Sequence, residues 1–306
     1  MKKLFLMMFS IATFVFAGNI KVAEDIQLTG KSQGEFYFPK FSPDGKSVFF
    51  TSGNFRGLWQ LNLESGVLKQ ITALPGAGYK FVLTPDGKII YFRTTEYKNK
   101  RRFHRLIEYN ISTGTEKILE ENERNLSPPT MAWKSGLFYL KNEKLTKINA
   151  QLSKTDENTA GLVYIENRNL ILVRNGKKTI LNPLGEGIYL WPSISPDGKK
   201  ILFTLGGKGS YICDFNGKIL TELGYANYPK WSPDGNWVLF MKDEDNGYNF
   251  TESDLYVKSS DGTEEFKLTS TDDIIELYGE WSPAGDAVVY HTDKGEIRLI
   301  KLKIEK

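Results

Sequence analysis

Few residues in this 306-residue chain combine the type and spacing that catalysis needs. Only two histidines occur, His104 and His291. His291 ends the apolar run Val288-Val289-Tyr290, where a structural imidazole at a strand end is expected. His104 stands in the basic stretch Lys98-Asn99-Lys100-Arg101-Arg102-Phe103-His104-Arg105, where a solvated ring is expected. Two isolated histidines give little support to an imidazole metal site. A serine hydrolase needs Gly-x-Ser-x-Gly at a strand-to-helix turn. The nearest text, Gly206-Gly207-Lys208-Gly209-Ser210, neither matches nor lies at such a turn. The acidic stretch Asp243-Glu244-Asp245-Asn246-Gly247, followed by Glu252-Ser253-Asp254, offers oxygens at alternate positions, as a Ca²⁺ loop does. It lacks the third acidic residue and the downstream bidentate Glu of such a loop. A solvated insertion is therefore expected, with Asp254 capping local backbone. Cys213, the single cysteine, lies in the strand-like Tyr211-Ile212-Cys213 and reads as a small buried apolar residue. No catalytic residue, metal or cofactor is expected.

What the chain does carry is a repeat. Phe41-Ser42-Pro43-Asp44-Gly45 leads into Val48-Phe49-Phe50, and Leu83-Thr84-Pro85-Asp86-Gly87 into Ile89-Ile90-Tyr91-Phe92. The same design recurs at Ile194-Ser195-Pro196-Asp197-Gly198, at Trp231-Ser232-Pro233-Asp234-Gly235 and, with Ala for Asp, at Trp281-Ser282-Pro283-Ala284-Gly285. Pro presets φ near −65°, Asp bonds its own backbone, and Gly takes the positive-φ position. The run after each turn is apolar without alternation, as in a strand covered on both faces. Further strands and turns follow, such as Leu58–Leu63, Glu64-Ser65-Gly66 and Val67–Thr72. Each unit thus holds four strands, and the fold class is all-β: a single β-propeller of four-stranded blades.

Spacing sets the blade count. Ser42 to Thr84 is about 42 residues and Ser195 to Ser232 about 37, both suited to one blade, whereas Thr84 to Ser195 is about 111. The degenerate centre contains Met131–Leu140, then Gly161–Ile165, Leu170–Val173 and Thr179–Leu181, with polar Gln151–Thr159 between. Strand count favours seven blades over six. Ile20–Thr29 resembles the last strand of a repeat yet precedes the first, and Glu296–Ile304 is a strand with nothing after it. The N-terminal strand is expected to complete the last blade, closing the ring and removing sheet edges.

Ahead of the repeats, Lys2 and Lys3, the apolar Leu4–Phe16 and the small-residue site at Ala17 read as a signal peptide over residues 1–17, leaving 18–306 as the propeller domain. No lipid-modifiable cysteine follows the cleavage site, and no later stretch is long and apolar enough to span a membrane. Export without disulfides fits a periplasmic protein, with secretion as the alternative. A net charge of +3 with interspersed signs is too weak to imply nucleic acid, and no nucleic-acid partner is expected.

In a propeller, the connections between second and third strands share one rim with the blade-to-blade connections. The basic and acidic stretches fall in the former; Tyr79, Trp191, Tyr228 and Tyr278 lie near the latter, just before each inner strand. The other rim carries short Asp-Gly or Ser-Gly turns. Loops on a rigid scaffold concentrate binding, and Tyr, Trp and Arg are favoured anchors. The candidate ligand-binding residues on this long-loop face are Tyr79, Arg102, Trp191, Tyr228, Asp243, Asp245 and Tyr278.

The Ser-Pro-Asp-Gly-Lys turn and the later Ser253-Asp254-Leu255-Tyr256-Val257, Asp261-Gly262 and Lys267-Leu268-Thr269 resemble the WD40-like propeller repeats of the TolB family. The resemblance spans roughly residues 20–306 and is weakest over 127–184. It implies a β-propeller acting in the cell envelope, with partners such as the peptidoglycan-associated lipoprotein. The repeats are expected to follow the leader directly, without TolB's α/β domain, which takes the Tol-specific role out of the implication. Similar repeats occur in propellers attached to serine peptidases and in oligogalacturonate lyases. The function expected is a non-catalytic, monomeric scaffold in the bacterial envelope that binds a protein or peptide. The alternative is a carbohydrate-active enzyme of polysaccharide-lyase type, or a glycan binder.

Overall fold

A computed structural model describes residues 19–132, 136–148 and 161–305. Apart from one 3-10 turn at Gly53–Phe55, the regular structure there is strand. The strands form seven sheets. Blades 1 and 2 run Phe36–Phe41, Ser47–Ser52, Arg56–Asn62, Leu68–Pro75 and Val82–Leu83, Ile89–Lys98, Arg101–Asn110, Glu116–Glu123. Blades 5 and 6 run Tyr189–Ile194, Ile201–Leu205, Gly209–Cys213, Ile219–Gly224 and Asn227–Trp231, Trp237–Asp245, Phe250–Ser259, Glu265–Lys267. Each is a four-stranded antiparallel meander.

The degenerate centre resolves into two blades, so the ring has seven. Blade 3 shows Thr130–Ala132, Gly136–Lys141 and Lys144–Ile148; blade 4 shows Gly161–Glu166, Asn169–Arg174 and Lys177–Ile180. Gly161–Glu166 packs on the inner strand of blade 5 as the second strands of blades 5 and 6 pack on theirs. The polar stretch 151–159 and the leader 1–17 lie outside the described residues.

Blade 7 is ordered Glu276–Trp281, Ala287–Thr292, Ile297–Glu305, and outermost Asn19–Gln27. The N-terminal strand pairs antiparallel with the C-terminal one from Asn19↔Glu305 to Gln27↔Arg298. Tyr290 Oη and Arg298 Nε donate to Asp25 at 2.9 and 3.2 Å, and the Ile297 amide donates to Thr29 Oγ1 at 2.9 Å. Ile20 joins the core that Ile300 and Leu302 build. The two ends thus share one sheet, and the expected closure stands.

The turns explain the regularity. Ser42 Oγ donates to Asp44 Oδ1 at 2.6 Å and accepts the Ser47 amide at 2.9 Å, while the Lys46 amide donates to Asp44. Thr84–Asp86, Ser195–Asp197 and Ser232–Asp234 repeat the contact. In blade 7, where Ala284 replaces the aspartate, Ser282 Oγ instead donates to Asp286 at 2.8 Å. A Cβ built on Gly87 would lie 3.6 Å from Pro43, and one on Gly285 3.6 Å from Pro233, so neighbouring turns abut around the rim. The strands that follow, Val48–Phe50, Ile90–Phe92, Ile201–Phe203, Val238–Phe240 and Val288–Tyr290, are almost wholly buried between blades. Each such side chain stabilises the fold by roughly 1.5–3 kcal/mol.

Candidate binding channel and long-loop face

The inner strands of blades 1, 5, 6 and 7 share a defect at one place. Pairing runs Tyr37↔Thr51 then Lys40↔Phe49; Leu190↔Thr204 then Ser193↔Leu202; Asn227↔Met241 then Lys230↔Leu239; Leu277↔His291 then Glu280↔Val289. Each time two inner residues face one partner, which is a β-bulge. The first bulge residue is Phe38, Trp191, Tyr228 or Tyr278, with φ of 53°, 48°, 52° and 55°. That left-handed conformation is the natural place of glycine, and a bulky aromatic there costs of order 1–2 kcal/mol. The second bulge residue is Pro39, Pro192, Pro229 or Gly279. In blade 2 the equivalent position is Lys80, φ 51°.

The bulges place these rings in one aromatic run across blades. Trp191 meets Tyr228 at 5.9 Å between centroids, Tyr228 meets Tyr278 at 4.9 Å, and Tyr278 meets Phe38 at 4.7 Å. Phe38 stacks on Phe55 at 4.9 Å, and Phe55 meets Tyr79 edge-on at 4.9 Å. Edge-to-face and tilted pairs at these separations are favourable beyond their burial. Four of the residues expected to bind, Tyr79, Trp191, Tyr228 and Tyr278, therefore belong to one assembly. The sequence reading put Trp191, Tyr228 and Tyr278 just before their strands; they lie inside them, because the bulge lets the strand continue past the turn-out.

His291 closes the run from behind. It stacks on Tyr278 with rings 5.4 Å apart and 2° from parallel, and its Nδ1 accepts the Phe38 amide at 3.2 Å. Burial pushes its pKa down to about 3, so the ring is neutral. This is the structural imidazole the sequence predicts. His104 differs from expectation: it is buried in the third strand of blade 2, with Nδ1 at 3.1 Å from Thr95 Oγ1 and 3.2 Å from the Thr94 carbonyl. The basic stretch is not a loop there but a continuous hairpin, reversed by Asn99 and Lys100 at φ 49° and 61°. His104 and Arg102 share one face of the strand; His104 lies far enough below the tip to be buried, whereas Arg102, two residues nearer the tip, is exposed.

Arg102 does not touch the aromatic run; Arg93 does, its guanidinium 5.7 Å from the Tyr79 ring centre. Asp243 is buried, accepting from Asn227 Nδ2 at 2.7 Å and Tyr225 Oη at 3.2 Å. Desolvation raises its pKa above the ordinary carboxylate value. It ties the bulged strand of blade 6 rather than facing solvent. Asp245 is exposed, accepts the Gly247 amide at 2.7 Å, and borders a groove of about 620 Å³ with Tyr37, Tyr248, Phe250, Leu277 and Asp293. Asp254 pairs with Lys267 at 2.7 Å instead of capping local backbone. Two tyrosines crown the hairpins: Tyr97, paired with Arg102, is 72% exposed, and Tyr248 is 94% exposed.

Past the aromatic run, the channel carries charge. The residue following each bulge is Lys40, Ser193, Lys230 or Glu280. Lys230 Nζ lies 2.6 Å from Glu280 and 4.3 Å from the Tyr228 ring centre. Desolvation works against the Lys230 cation, yet Glu280 and Tyr228 raise its pKa overall. Sequence reasoning missed Phe38, Phe55, Arg93, Lys40, Lys230 and Glu280. Phe38 was detectable, since it stands four residues before the turn serine as Trp191, Tyr228 and Tyr278 do. The charged column two residues later was equally in phase. Phe55 and Arg93 had no periodic signal.

Against known proteins, the Tol-Pal system protein TolB of Francisella tularensis subsp. tularensis (strain WY96-3418) is 25% identical over 258 residues, covering 80% of this chain and 54% of that protein. The chain thus spans about half the length of the curated relatives it matches. A solved putative TolB from Agrobacterium tumefaciens superposes with a TM-score of 0.51 at 16% identity, covering 94% of this chain and 98% of that one. An oligogalacturonate lyase from Vibrio parahaemolyticus gives a TM-score of 0.51 at 14% identity, covering 90% and 80%. Identities this low speak to the fold alone. No protein-family model matches the chain.

Proposed function

We propose that this chain, a TolB-like β-propeller, is an exported, non-catalytic scaffold of the bacterial envelope that grips a protein or peptide with its long-loop face. It acts as a monomer in the periplasm, without nucleic acid and without membrane insertion once residues 1–17 are removed. The observation that carries this reading is the set of four bulges holding aromatic rings at positive φ in register around the channel. Strain repeated at one level of a scaffold marks a surface the fold maintains against its own backbone preference. Around it stand exposed anchors on two rigid hairpins, Tyr97 and Arg102 on blade 2 and Tyr248 on blade 6. Rings and arginines of this kind dominate binding energy at protein interfaces. The Francisella relative is named as a protein of the Tol-Pal system, which supports a role in assembly. Among the described residues no helix is long and apolar enough to cross a membrane.

The test is site-specific photo-cross-linking in the native envelope. A photoreactive residue at Tyr248 is expected to capture a discrete partner, lost on Arg102→Ala with Tyr97→Ala. The same residue at Ser65, on the short-turn rim, is expected to capture none. Capture from Ser65 and not from Tyr248 overturns the reading.

A second reading, a carbohydrate-active or glycan-binding propeller, draws on the aromatic surface, because sugar faces pack on such rings. Calorimetry with polygalacturonate separates the two: saturable heat or turnover favours the glycan reading. Turnover sensitive to chelation or to His291→Ala would point to a lyase-like enzyme.

A further inference from the structure

We propose that the short-turn mouth of the channel is a carboxylate-binding site centred on the Lys40 ammonium. This site lies at the opposite end of the channel from the long-loop face and does not depend on that face having a partner.

The charge arrangement motivates it. Ring order in the channel places Lys230 of blade 6, Glu280 of blade 7 and Lys40 of blade 1 side by side, since each follows the bulge of its inner strand. One carboxylate thus stands between two ammonium groups. Glu280 is committed to Lys230 at 2.6 Å, with Tyr228 Oη at 3.5 Å as well. No carboxylate lies within ion-pair distance of Lys40 among the described residues; the contact found for its Nζ is the Phe81 ring, 5.9 Å away. Desolvation lowers the Lys40 pKa, Glu280 opposes this from a distance, and the Lys230 cation adds to it. A half-buried cation without a counter-ion is costly, and an anion brought to it removes that cost.

The space beside Lys40 suits such an anion. A cavity of about 310 Å³ opens among the Ser-Pro turns, lined by Lys40, Glu280, Phe41, Leu83, Trp231 and Trp281 together with the turn residues. That volume is at the small end of ligand sites. The hydroxyls of Ser42 and Ser232 already donate to Asp44 and Asp234, and that of Ser282 to Asp286. Trp231, on the cavity wall, has its Nε1–H buried with no acceptor. The serine hydroxyls are thus already committed, which leaves the Lys40 ammonium as the donor for an anion, beside apolar sides. It fits a carboxylate on a compact apolar body, supplied either by a small organic acid or by the C-terminal residue of a peptide.

The experiment is calorimetry at pH 7 and low salt on the chain from Gly18 onward. The probes are N-acetylphenylalanine, its C-terminal amide, and the tetrapeptide Gly-Ala-Ala-Phe with a free or amidated C-terminus. The free acids are expected to bind one per chain, and the amides roughly tenfold weaker or worse, as loss of a charge-assisted contact requires. Lys40→Met is expected to weaken the acids at least tenfold, and Lys40→Gln likewise; the melting curve of each verifies folding. Glu280→Gln is expected to tighten binding, since it removes the competing carboxylate. Tighter binding of the free tetrapeptide than of N-acetylphenylalanine assigns the site to peptide termini, and the reverse to small acids. The proposal is overturned if no free acid binds at millimolar concentration, if acid and amide bind alike, or if folded Lys40→Met and Lys40→Gln both bind as the parent does.

Discussion

Glu276 sets up a sharp test of the interior electrostatics. It begins the inner strand of blade 7 with no solvent exposure. Its Oε1 accepts the Thr271 hydroxyl at 2.7 Å, while Oε2 is buried with no partner. Desolvation raises its pKa to about 7, opposed by the Thr271 hydrogen bond and assisted by Asp254. The folded chain therefore holds this proton more tightly than the unfolded chain, whose carboxyl titrates near 4.5. Stability from this group is complete below about pH 4.5, falls as pH rises, and is lost by about pH 7. A shift of this size corresponds to about 3 kcal/mol. For a folded domain of this size that is a melting shift of about 5 °C. Glu276→Gln keeps the acceptor for Thr271 and cannot ionise. Melting curves of parent and variant, taken from pH 4.5 to 8, isolate the effect because every other group cancels in the difference. The variant is expected to gain on the parent by about 5 °C across that range. A difference independent of pH, or a variant that loses ground as pH rises, refutes the ionisation argument.

Other outcomes follow from the same structure. Deleting residues through Gln27 leaves the strand Ile297–Glu305 as an open edge, so size-exclusion chromatography is expected to show association or loss of the folded monomer. His291, with its pKa pushed down to about 3, is expected to show no imidazole titration by NMR between pH 5 and 8. Its contribution to stability is present above about pH 6.5 and declines as pH falls toward 3. Asp286→Ala and Asp44→Ala are each expected to cost about 1 kcal/mol in chemical denaturation, because each aspartate accepts a turn serine hydroxyl.

Much of the candidate site was readable because it repeats. Trp191, Tyr228 and Tyr278 recur four residues before a turn serine, and periodicity makes such a column visible without coordinates. Phe38 belongs to the same column and was passed over, since its neighbours Phe36, Tyr37 and Phe41 blur the phase. Asp243 and Asp245 looked alike in the sequence and part company in space. Asp243 turns toward Asn227 and Tyr225, and Asp245 reaches the hairpin tip. His104 misled because a basic run suggests water, whereas the run is a hairpin strand whose part below the tip is buried.

The sequence by itself determined the blade: a serine or threonine hydroxyl, a proline and a glycine write the turn, an aspartate usually completes it, and an unbroken apolar run demands cover on both faces. Those are local instructions, legible within about ten residues. It also implied the latch, because a terminal strand without a sheet has to find one. What only the tertiary structure decided is which side chains meet. The bulges turn rings from successive blades into one run, and closure sets Lys40 beside a Glu280 already held by Lys230. Such contacts join residues far apart in the chain, such as Phe38 and Tyr278. No local pattern encodes the curvature that brings the seventh blade against the first.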